Sequence, residues 1–97
     1  MIKTKKKKSS YFDEVFKSKK MQKLYHQEGA ILEAQEMVCH LMNEEGVNKA
    51  ELARRMGCHR SRITKLMSDE LEIDLRCLSD MLFALGYQVK IAAVKIK

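Results

Sequence analysis

Apolar residues return at three- and four-residue intervals through most of this chain, and run after run stops at a glycine. Ile31, Ala34, Val38, Leu41 and Met42 form one stripe that ends at Gly46. Leu52, Ala53 and Met56 form a second that ends at Gly57, and Ile63 and Leu66 resume the pattern a few residues later. That period belongs to helices that bury one face, and a glycine just past the stripe supplies the left-handed backbone on which helices end. Further on, Asp74 predicts the cap of a helix over about residues 75–85. Ile73 and Leu78 are placed there as a hydrophobic staple, with Leu75, Leu78, Leu82 and Leu85 turned to the core and Gly86 ending the helix. Met37, Met42, Met56, Met67 and Met81 sit within these apolar stretches and read as core filler.

Both ends of the chain depart from this pattern. Ser10 and Asp13 match an S-x-x-D capping signature, which predicts a short helix from near Tyr11 that buries Phe12, Val15 and Phe16. Ser18 is placed to cap another through Tyr25. Gly29 either breaks the chain or rides inside a longer helix, since a glycine in mid-helix costs only about 1 kcal/mol. After Gly86 the period falls to two: Tyr87, Val89 and Ile91 alternate with Gln88, Lys90 and Ala92, as in a strand half buried on one face. Nothing else reads as a strand, so its backbone groups need a partner from elsewhere. The same strand of a second copy would serve, as an antiparallel ribbon across a two-fold axis; a tail lying along its own domain is the alternative. The expected fold is all-α, with four to six helices, a helical N-terminal extension and a C-terminal β-strand. Its parts are a basic disordered tail over residues 1–10, the extension over 11–29, a helical domain over 30–86 and a dimerisation strand over 87–97, paired through Tyr87, Val89 and Ile91.

Charge gives the central pair of helices a purpose. Over residues 49–66, six basic residues (Lys49, Arg54, Arg55, Arg60, Arg62 and Lys65) stand against the single acid Glu51. Two short amphipathic helices folded over a tight turn at Gly57, basic on the outside, make a helix-turn-helix, whose second helix can lie in a DNA major groove. The formal charge of +6 is unevenly spread: residues 1–10 hold five lysines and no acid, and the rest carries 14 basic and 13 acidic residues. Residues 24–45 contain Glu28, Glu33, Glu36, Glu44 and Glu45 with no Lys or Arg. One face therefore suits phosphate and another suits a basic protein. The lysine tail reads equally as an arm adding phosphate contacts and as a solubilising extension.

Other chemistry is poorly supported. Cys39-His40 and Cys58-His59 lie too far apart for the close pairs that zinc sites use, and adjacent helical residues point about 100° apart. Neither a metal nor any cofactor is expected. Cys58 with His59 lacks a third group to orient the base and a glycine-rich loop to stabilise an oxyanion, so an enzyme is not expected either. Three cysteines without a secretion signal predict reduced thiols. No segment is apolar for long enough to span a membrane, and the basic N-terminus runs into Ser9-Ser10 rather than a signal-peptide core, so the chain is expected to be cytoplasmic. At 97 residues and 45% hydrophobic it supports one compact domain.

Asn48-Lys49-Ala50-Glu51-Leu52-Ala53-Arg54-Arg55-Met56-Gly57, followed by Arg60-Ser61-Arg62-Ile63, resembles the helix-turn-helix of the phage-repressor (Cro/C1, Xre-type) regulators. Ala84-Leu85-Gly86-Tyr87 is similar to the end of that domain's last helix. The resemblance implies a phage-repressor-like bundle and a homodimeric repressor on a palindromic operator in double-stranded DNA. It implies base contacts from Arg60, Ser61 and Lys65 and phosphate contacts from Asn48, Lys49, Arg62 and Thr64. Two positions depart from the family pattern: His59 stands where Ser or Thr usually caps the second helix, and Ser68-Asp69-Glu70 lacks the usual glycine and adds acid. Small size and the helical extension are further similar to HigA-type antitoxins, which implies a basic toxin as partner and repression of the chain's own operon. A stand-alone or phage-type regulator is the alternative.

Overall fold

The computed structural model describes residues 18–96. The expected lysine tail and the helix from near Tyr11 lie outside these residues. Four helices are present: α1 (Lys19–Glu45), α2 (Lys49–Met56), α3 (Arg60–Met67) and α4 (Leu75–Ala84). The chain divides into two units, Met1–Leu32 and Glu33–Lys97.

The described part of the first unit is the start of α1. Ser18 caps it, its Oγ accepting the Met21 N–H at 3.2 Å. The helix does not stop near Tyr25, as the local pattern suggested, and Gly29 lies within it. No atom lies within 4 Å of where a Cβ at Gly29 would be, so packing does not require the glycine, and its propensity cost of about 1 kcal/mol is spread over a 27-residue helix.

The second unit holds the core. Val38 and Met42 of α1, Leu52 and Ala53 of α2, Ile63 and Leu66 of α3, and Cys77, Leu78, Met81, Leu82 and Leu85 around α4 are all buried, as is Val47 in the first connection. α2 packs against both α3 and α4. The stripes read from the sequence are the buried faces, with two corrections. Leu75 is 63% exposed. It is the first residue of α4, and the buried face of that helix is made by Cys77, Leu78, Met81 and Leu82. Met37 is also exposed, because it falls a turn-fraction off the Val38–Met42 line. Ile73 is half buried against the core that includes Leu78, consistent with a staple.

Helix ends explain the short connections. Asn48 caps α2 and Asp74 caps α4, each accepting a backbone N–H at 2.8 Å, from Glu51 and Cys77. Gly57 ends α2 at φ 71°, and the Cys58 N–H returns to the Ala53 carbonyl at 3.0 Å. This six-residue closure satisfies a carbonyl that the helix itself leaves unpaired.

The C-terminal β-strand is not present. Residues 87–96 carry no regular secondary structure. A strand exists by its ladder, and among the described residues no backbone edge is offered to this segment. Its first residues are also spent on the domain: the Tyr87 N–H donates to Leu82 O at 2.7 Å, its hydroxyl donates to Glu45 Oε2 at 2.8 Å, and Val89 is half buried against the core. The Glu45 carboxylate pushes the Tyr87 phenol above its ordinary pKa.

Candidate nucleic-acid interface

The site is built on α3 and the start of α2. Burying Ile63 and Leu66 fixes the rotation of α3, and Arg60, Ser61, Arg62, Thr64 and Lys65 are left exposed. With 3.6 residues per turn, Arg60, Ser61, Thr64 and Lys65 follow one another along the side opposite the core, and Arg62 lies beside them. Among the described residues Lys49, Arg60, Arg62 and Lys65 hold no ion pair. Four cations thus stand ready for external anions.

His59 does serve as the cap of α3, with its Nδ1 accepting the Ser61 N–H at 3.3 Å. The Ser61 hydroxyl lies 3.1 Å from the same nitrogen. Which of the two donates in that second contact follows the His59 tautomer, since one ring lone pair cannot fully serve two donors. Asn48 is similarly half committed, since its Oδ1 caps α2 while its amide N–H groups have no partner among the described residues. Lys49 is half buried beside it.

The basic count over residues 49–66 overstates what is available. Glu51 receives Arg54 through Nε at 3.0 Å and through Nη2, and receives Arg55 through Nε at 2.9 Å. Arg55 also donates from Nη1 to the Ala84 carbonyl at 3.0 Å, tying α2 to the end of α4. Bonding to Arg54 first, then Arg55, holds the Glu51 carboxyl at about 2, against an ordinary 4.5. A carboxylate with a depressed pKa contributes its stability above the unfolded-state value and loses it as pH falls toward the folded one. An acid titration followed by circular dichroism should therefore show a loss of stability between pH 4.5 and 2 that is smaller in Glu51→Gln. Identical acid profiles would mean the cluster is stabilising nothing.

Two residues of the site's support were not legible in advance. Gln35, in the buried stripe of α1, is the one buried polar residue among those described, at 8% exposure. Its Nε2 donates to Leu66 O at 3.0 Å and to Asp69 Oδ1 at 2.7 Å. The signal that could have found it is a glutamine set four residues after Ile31 and three before Val38, in an otherwise apolar line. Asp69 is the one described non-glycine residue at positive φ, 70°, which is where the sequence departs from the expected glycine.

The remaining chemistry is quiet. Cys39, Cys58 and Cys77 are all unpaired thiols, and burial pushes the Cys77 thiol up, away from the reactive thiolate, against a smaller opposing pull from Arg62. Among the described residues no group of three or more His, Cys, Asp or Glu is arranged to hold a metal. No helix among the described residues is long and apolar enough to cross a membrane.

Comparison with known proteins adds one match. The model of a family described as the Cro/C1-type HTH DNA-binding domain matches residues 38–90, more than half of the chain. No curated protein and no solved structure matches it.

Proposed function

Since the chain belongs to the Cro/C1-type helix-turn-helix DNA-binding domain family, we propose that it is a sequence-specific repressor that reads a palindromic operator as a homodimer. The observation that carries this is α3 itself: a capped helix across a glycine turn, with Arg60, Ser61 and Lys65 outward and, among the described residues, no ion pair on its cations. Arg60 and Lys65 are the groups for guanine O6 and N7, and the Ser61 hydroxyl adds a shorter contact to a base edge. Asn48, Lys49, Arg62 and Thr64 hold the register on phosphates. One such helix reads too few base pairs to find an operator among genomic competitors, so two copies act together on half-sites about 34–36 Å apart. Selection of bound duplexes from a random pool tests this. A two-fold symmetric site should emerge; binding that ranks all duplexes alike would leave a non-specific DNA-binding protein.

A second reading, that the repressor is also the antitoxin of a toxin pair, is favoured by the first unit. Met21, Leu24, Tyr25 and Leu32 are exposed apolar side chains, with exposed Glu28 among them. Lys19, Lys20 and Lys23 share this stretch with Glu28, so its exposed apolar side chains, rather than its charge, are what suit a protein partner. Co-expression with a short basic reading frame adjoining the gene should give a co-purifying complex that Leu24→Lys with Tyr25→Lys disrupts. A neighbour that is harmless alone and does not co-purify would leave a stand-alone regulator.

A further inference from the structure

Three of the four described helices end alike. A glycine at positive φ follows, and the next residue's N–H returns to a carbonyl five residues back: Val47 to Met42 at 2.9 Å, Cys58 to Ala53 at 3.0 Å, Tyr87 to Leu82 at 2.7 Å. The fourth is α3, the helix that faces DNA. It closes by the same bond, Glu70 N–H to Lys65 O at 3.0 Å, joined by the Leu71 N–H at 3.1 Å, but the residue at positive φ is Asp69. A side chain there is strained where glycine would not be. What aspartate offers in exchange is its Oδ1, held by Gln35 Nε2 at 2.7 Å. The second hydrogen of that nitrogen goes to Leu66 O, one of the last carbonyls of α3.

We propose that Gln35 is a positioning residue for DNA reading, acting through the end of α3. One buried amide on α1 fixes the Leu66 carbonyl and the Asp69 turn together, and the Lys65 carbonyl that receives Glu70 and Leu71 belongs to the residue just before Leu66. The pose of the Lys65 side chain, at the far end of the reading face from Arg60, is thereby set from α1.

The inference rests on operator reading, and the test separates the two. Gln35→Met keeps length and burial but deletes both donors, and amide exchange at Glu70 and Leu71 should speed up about tenfold or more relative to wild type. Asp69→Gly removes backbone strain and the acceptor together. Its melting temperature should hold or rise, while the preference for a selected duplex over a random one falls about fivefold or more. Asp69→Asn, which keeps Oδ1 and tolerates positive φ, should retain the preference within about twofold. A purely structural role would move preference and melting temperature together. Unchanged exchange in Gln35→Met, or full preference in Asp69→Gly, overturns the proposal. If the wild-type chain shows no preference for any duplex, operator reading fails, and the exchange rates alone decide whether Gln35 holds this helix end.

Discussion

Leu52→Ala is expected to destabilise the domain severely. Leu52 has no exposed surface and sits on α2, which packs on both α3 and α4. Truncating such a leucine removes its transfer free energy and leaves a cavity, typically about 2–5 kcal/mol. A domain this small has a stability toward the low end of the usual range of roughly 5–15 kcal/mol, so the loss consumes much of the whole. Urea titration gives the measure: the midpoint should fall steeply with little change in slope, whereas Leu52→Met should cost under about 1.5 kcal/mol. Equal losses for the two variants would mean that side-chain volume at this position does not matter, and that the helices are held together elsewhere.

Arg60→Ala should cost roughly 1–3 kcal/mol on a selected duplex, about 5- to 150-fold in affinity, and little on random DNA. Arg60 is the first residue of α3, exposed and without an ion pair among the described residues. Lys49→Ala and Arg62→Ala should instead weaken both duplexes alike, because phosphates carry no sequence. Arg54→Ala is the control the structure supplies: its guanidinium is bound to Glu51, so the change should disturb DNA binding least of the four. Equal losses for Arg60→Ala on both duplexes would place Arg60 on phosphate and move base reading to Lys65 and its neighbours.

The parts legible in the sequence are those decided within a few residues. Gly57 at the turn, Asp74 and Ser18 at caps, and the stripes through Val38, Leu52 and Ile63 follow from local backbone and burial rules, and each stands where those rules put it. What escaped depends on partners distant in sequence. The alternation from Tyr87 to Ile91 has a strand's period, but period alone cannot supply an edge to pair with. Glu51 looked like a minor offset in a basic stretch, yet it binds both Arg54 and Arg55. Gln35 lies 31 residues from the carbonyl it satisfies and 34 from the carboxylate it holds, a separation that no periodicity argument spans.

Anchoring Val89 on its own domain shortens the lever available to the C-terminal segment. Of the three residues assigned to a pairing strand, Tyr87 and Val89 are engaged at home and Ile91, 75% exposed, is not. A ribbon between two copies would therefore draw on residues 90–96, where Ile91, Val94 and Ile96 are the exposed apolar groups. Fully extended, that stretch reaches at most roughly 25 Å. With Tyr87 and Val89 held by the domain, whatever meets these exposed apolar groups must come within that reach of the point where Val89 is anchored.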